Sequence, residues 1–207
     1  MLMTRERFER GMSFDVYVAS MQENREKFIM NYAEAPAESA AARAVVCTDL
    51  PLRVLVLTED WCGDALTYVP LLGRLAAGEV DWTVRVFRRD ENPDLADRWL
   101  KDGVHRAVPV FVFFDADMQE LGHFIERPAA VNRARQALID TLAAEHPGVI
   151  VPGRLYADQT PEAQELLAGP LRELRIAQTR QWQEYCAEEI AALLRCGAPA
   201  AELVGAC

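Results

Sequence analysis

Seven consecutive residues, Leu52 to Thr58 (LRVLVLT), constrain the fold more than any other stretch of this chain. The run is short, rich in β-branched and aliphatic side chains, and apolar on both of the faces a strand would present. A strand of that kind needs cover above and below, which is the situation inside an α/β sheet rather than at a solvated edge. The residues beyond it alternate accordingly. Gly63 to Ala77 reads as a helix with Leu66, Val69, Leu72 and Leu75 on one side, and Val80 to Phe87 reads as a second strand. Pro93 to Lys101 reads as a helix ended by Gly103, and Val110 to Asp115 (VFVFFD) as a third strand. A turn at Asp115–Asp117 returns the chain as an antiparallel fourth strand, Gln119 to Phe124, before a helix from Pro128 to Glu145. The order implies an α/β fold: a mixed four-stranded sheet with helices on both faces.

Helical additions flank this region, giving expected segments of 1–46, 47–146 and 147–207. Residues 1–35 read as helix, with Ser13 as a cap and Phe14, Tyr17, Val18, Met21, Phe28 and Tyr32 as an apolar stripe that must pack on something else. Residues 36–50 read as a connector with room for a short helix. Beyond the Pro147–Gly153 loop, Thr160–Pro161 opens another helical region. Gly169–Pro170 is expected to break it, leaving a long helix from Leu171 to Arg195 that covers the domain or pairs two chains as a homodimer. The segment Ala198 to Cys207 is expected to be poorly ordered.

Composition removes several function classes. With 22 Lys plus Arg against 32 Asp plus Glu, the formal charge is −10 over 207 residues, so a nucleic-acid partner is not expected. No apolar run approaches the ~18 residues of a membrane span. The charged N-terminus lacks a secretory-type apolar stretch, so a cytoplasmic location is expected. The five cysteines, Cys47, Cys62, Cys186, Cys196 and Cys207, are odd in number and scattered. They suggest neither a disulfide framework nor a zinc site, and no cofactor or metal is expected.

One cysteine has a context. In Thr58-Glu59-Asp60-Trp61-Cys62-Gly63-Asp64-Ala65, Cys62 directly follows the buried strand and opens a helix. Unpaired N–H groups and the positive end of the helix dipole favour a thiolate there. Asp64, Asp60 and Glu59 oppose one.

These residues resemble the thioredoxin family. The resemblance rests on Trp61-Cys62-Gly63 after a strand, on Pro70 eight residues beyond the cysteine, and on Val108-Pro109 before the third strand. Element order from about residue 50 to 145 agrees with it. More narrowly, the chain is similar to bacterial thioredoxin-like proteins with a leading helix, Asp-Trp-Cys-Gly-Asp-Ala, and an Arg-Asp-Glu-Asn motif, here Arg89 to Asn92. The resemblance implies a thioredoxin-like fold and a cis Pro109 that brings the Val108 backbone to Cys62, where an extended partner could pair like an added strand. Trp61, Gly63 and Asp64 would join Val108 and Pro109 in the partner-facing groove.

Two departures bear on activity. The second cysteine of a dithiol oxidoreductase would fall at Ala65, and the family's buried acid at Val56. The reading is therefore monothiol redox chemistry through Cys62: a mixed disulfide with a protein or low-molecular-weight thiol, resolved by an external thiol. Cys207 or Cys47 could serve as a resolving partner. The alternative is a redox-inactive thioredoxin-fold module that binds a peptide or protein. His105 reads as a loop residue that could lie near the thiol. Arg89–Asn92 reads as a fixed loop or a solvated turn, and Arg127-Pro128 as a helix cap.

Overall fold

A computed structural model describes residues 3–47, 51–78 and 80–197. The central sheet runs β2-β1-β3-β4, where β1 is Leu52–Thr58, β2 Trp82–Arg88, β3 Val110–Phe114 and β4 Glu120–Ile125. β1 pairs parallel with β2 and antiparallel with β3, and β3 pairs antiparallel with β4. Alternation along the strands feeds two cores. Val54, Val56, Phe111 and Phe113 enter one, while Leu55, Leu57, Val110, Val112 and Phe114 enter the other. Both faces of β1 and β3 are thus covered, as the unbroken apolar runs require.

The first face is covered by α2 (Phe14–Ser20), α3 (Arg25–Ala33), α4 (Ala40–Val46), α5 (Gly63–Ala76) and the C-terminal half of α8 (Pro161–Gly197). On the other face lie Phe8 of α1 (Arg5–Glu9), Leu95 and Ala96 of α6 (Pro93–Ala96), and Trp99. α7 (Ala129–Glu145) reaches the first core through Val131 and forms a third cluster with the start of α8.

Three expectations are corrected. The N-terminal region, expected to be helix over 1–35, holds three short helices among its described residues: α1, α2 and α3. Between α1 and α2, Met12 bonds both ways with Val86 (2.9 and 2.8 Å), adding a residue-long antiparallel bridge to the edge of β2. Gly11 permits this approach, because a Cβ there would fall 2.6 Å from the Phe87 ring. The predicted 93–101 helix stops at Ala96, and Trp99 turns inward to bury all but 3% of its surface, donating from Nε1 to Glu120 at 3.2 Å. Finally, α8 runs through Gly169–Pro170 without a break. Ala163, Leu167 and Leu171 straddle the proline and pack together on Ile139 and Ala143 of α7. Burial of that stripe offsets the ~3 kcal/mol that an interior proline costs a helix. The segment 198–207, including Cys207, lies outside the described residues.

Pro70 shows how the flanking helices attach. It removes the N–H that would bond Leu66 O, and the neighbouring carbonyl in the same turn is Thr67 O. Asn31 of α3 donates to Leu66 O at 2.8 Å, and Gln183 of α8 donates to Thr67 O at 2.9 Å. Side chains from both flanking regions thus complete the backbone of the central helix.

Candidate functional site

β1 ends at Thr58, and a short turn delivers Cys62 to the N-cap position of α5. Across the turn, the Val108–Pro109 peptide is cis. The Cys62 thiol donates to Val108 O at 3.4 Å. Backbone N–H groups of Ala65 and Asp64 favour the thiolate, as the helix start leads one to expect, although neither closes a capping hydrogen bond to the sulfur. They do not win. Burial first, and the Asp64 carboxylate second, push the thiol up to about 11, with Arg127 too weak a counterweight. Ala65, where a second sulfur would sit, is buried in the first core with Val56.

The other two carboxylates of the motif are turned away from the sulfur. Arg88 approaches Asp60 at 3.3 Å and Glu59 at 3.8 Å. Asp60 also accepts from the Gln22 N–H (2.9 Å), and Glu59 from the Asp90 N–H (2.8 Å). Burial pushes Glu59 up; for Asp60 burial acts in the same sense, but the Gln22 N–H and Arg88 outweigh it and hold the carboxyl below its usual range. These two residues anchor the site loop to the α2–α3 turn and to β2.

Two arginines complete the surroundings. Arg127 donates to Asp64 Oδ2 through Nε (3.1 Å) and Nη2 (2.8 Å), and pairs also with Glu126. The Glu126 N–H donates to Pro109 O at 2.7 Å, so this network ties the start of α5 to the cis-proline loop. Arg127 is thus more than a helix cap. Arg89 lies 5.0 Å over the Trp61 ring and donates to Arg106 O at 3.1 Å. Trp61 is 45% exposed, held from behind yet open to a partner. Asn92 donates to Arg88 O at 2.7 Å, which makes Arg89–Asn92 a fixed loop. His105 is exposed.

The structure therefore gathers Trp61, Cys62, Gly63, Asp64, Val108 and Pro109 at one end of the sheet. Sequence reasoning misses a contributor from the far C-terminal helix. A Cβ on Gly63 would fall 1.3 Å from Arg175 Nη1, so the guanidinium of α8 lies directly against the glycine. An arginine on a helix face is the only signal the sequence offers of it. Cys47 closes α4 and precedes β1 in the sequence, whereas Cys62 follows the other end of that strand, which spans about 20 Å. Cys186 is buried in the first core. Among the described residues, no cluster of His, Cys, Asp or Glu could hold a metal ion, and no helix is long and apolar enough to cross a membrane.

A family model described as thioredoxin matches residues 11–139. This chain belongs to the thioredoxin family. Two solved structures share its fold almost end to end. A protein of unknown function, PA1234 from Pseudomonas aeruginosa, is 17% identical with a TM-score of 0.64, over 96% of this chain and 100% of that one. An HIV epitope scaffold is 19% identical with a TM-score of 0.59, over 94% and 98%. The helices flanking the thioredoxin core thus belong to the fold that these proteins share. No curated protein matches the sequence.

Proposed function

We propose that this thioredoxin-family chain is a binding module that presents the Trp61–Cys62–cis-Pro109 face to an extended peptide or protein segment, with Cys62 held as a neutral thiol. The observation that carries the reading is the state of the sulfur: it donates to Val108 O and is pushed up to about 11. At neutral pH that leaves roughly one part in ten thousand as the attacking thiolate. Ala65 removes the internal resolving step. The Val108 N–H meanwhile has no hydrogen-bond partner among the described residues. Beside exposed Trp61, it offers a partner backbone one donor and one apolar contact.

A second reading, monothiol exchange, is favoured by the Ala65 and Asp64 N–H groups directed at the sulfur. In it, the Cys62 thiolate attacks a partner disulfide, one partner sulfur leaves as thiolate, and an external thiol releases Cys62. Alkylation by iodoacetamide against pH, with mass analysis after incubation in oxidised glutathione, separates the two. The binding module predicts an alkylation midpoint above that of a free thiol (pKa ~8.5) and no adduct at neutral pH. A depressed midpoint with a stoichiometric adduct at Cys62 overturns it and establishes exchange. Panning of displayed 12-residue peptides tests the binding half: peptides retained by Cys62→Ser and lost by Trp61→Ala are expected.

A further inference from the structure

Between α3, α5 and α8 lies a cavity of about 450 Å³, within the size range of small-molecule sites. Its charge runs against that of the molecule. The chain carries −10 overall, yet Lys27, Arg172, Arg175 and Arg180 line this cavity against one carboxylate, Glu34. Arg180 stands 3.9 Å from Glu184. Lys27, Arg172 and Arg175 form no ion pair with any carboxylate among the described residues.

Solvated cations on a helix face would account for Arg172 and Lys27, but not for Arg175. Its guanidinium is drawn in against Gly63, at a place only glycine leaves open, and half-buried there it has no partner among the described residues. A cation taken out of water without a counter-charge is costly, and an anion beside it relieves that cost. The walls are fixed independently. Asn31 and Gln183 line the cavity while their amides are committed to the Leu66 and Thr67 carbonyls of the kinked helix. Met30 and Ile176 add exposed apolar surface to the lining.

We infer that this cavity binds a small organic polyanion: two or more carboxylate or phosphate groups on a short, partly apolar frame. Guanidinium groups suit both oxyanions through paired N–H donors, and the ammonium of Lys27 adds a third positive point. Arg175 brings the cavity up to Gly63, but neither Cys62 nor Val108 lines it, and the proposal does not rest on the function proposed above.

Isothermal titration of the full chain tests it, with citrate as the carboxylate probe, inorganic pyrophosphate as the phosphate probe and acetate as a singly charged control. Saturable binding of citrate or pyrophosphate, far weaker for acetate, is expected, and whichever probe binds identifies the oxyanion. Arg172→Gln and Arg175→Gln should each weaken it about tenfold or more, as loss of a charge-assisted pair implies. Cys62→Ser should leave it unchanged, which keeps this result separate from the thiol question. Lys27→Gln, on an exposed lysine, supplies the same arm if an arginine variant fails to fold. Absence of saturable binding by both probes, or binding that survives these substitutions, overturns the proposal.

Discussion

At the scale of single residues, Cys62 is a contest among nearby groups, and its outcome depends on distances that the motif does not contain. The helix start favours charge on the sulfur, whereas burial and Asp64 oppose it and prevail. The sign of the resulting pH dependence is fixed. An unfolded thiol ionises near pH ~8.5, while the folded one holds its proton to about 11. Across that window the unfolded state binds fewer protons, so stability contributed by the neutral thiol is full below it and is lost as pH rises through it. Asp64→Asn removes the carboxylate that opposes the thiolate and leaves Arg127 less compensated. The alkylation midpoint of the variant should therefore move down toward the free-thiol value. An unmoved midpoint would assign the whole shift to burial. Cys62 and Pro109 are legible in the sequence because each sits in a short motif with a known neighbourhood. Arg127 on Asp64 and Arg175 on Gly63 are not, since nothing local in the chain pairs them.

Elements show where local pattern and tertiary packing part. β1 and β3 can be read nearly to the residue, since their apolar runs are short, bounded and buried on both faces. The N-terminal stripe is apolar as its spacing implies, but it is not continuous: the spacing fits one helix, while Met21 turns extended and Asn24 takes a left-handed conformation, which separates α2 from α3. Local propensity alone makes Pro170 a helix breaker, and the α7 contact decides otherwise. Pro70 leads to a quantitative expectation. Asn31→Ala should cost about 1–3 kcal/mol by stranding Leu66 O. In a Pro70→Ala background residue 70 regains an N–H, and the cost of Asn31→Ala should shrink. A double-mutant cycle by urea denaturation measures that coupling, and strict additivity would mean that Asn31 does not act through the kink.

For the whole molecule, the question is whether the thioredoxin core stands without its flanks. Trp182, Cys186, Ile190 and Leu194 of α8 are each at most 2% exposed and share the first core with Val54, Val56 and Tyr68. A chain ending at Gln159 exposes that face, and loss of a cooperative thermal transition with gain of dye binding is expected. A sharp transition in the truncated chain would instead make residues 1–159 self-sufficient without α8. The same packing bears on the long helix. Leu171, Trp182 and Ile190 are buried on the chain itself, and Leu174, Tyr185 and Leu193 lie partly buried beside the first core. Covering the domain therefore consumes the stripe that a pairing helix would have presented.

By itself the sequence determined the order of strands and helices, the family, the single sulfur at the helix start and the missing partner at Ala65. Those features are written in local pattern: period, length, and motifs a few residues long. Tertiary structure decided the protonation of that sulfur, the continuity of α8, the completion of the kinked helix by Asn31 and Gln183, and the seating of Arg175 on Gly63. Each of these depends on burial or on charges brought together from distant parts of the chain. Coulomb and desolvation energies follow distance in space, which the order of residues leaves open until the chain has folded.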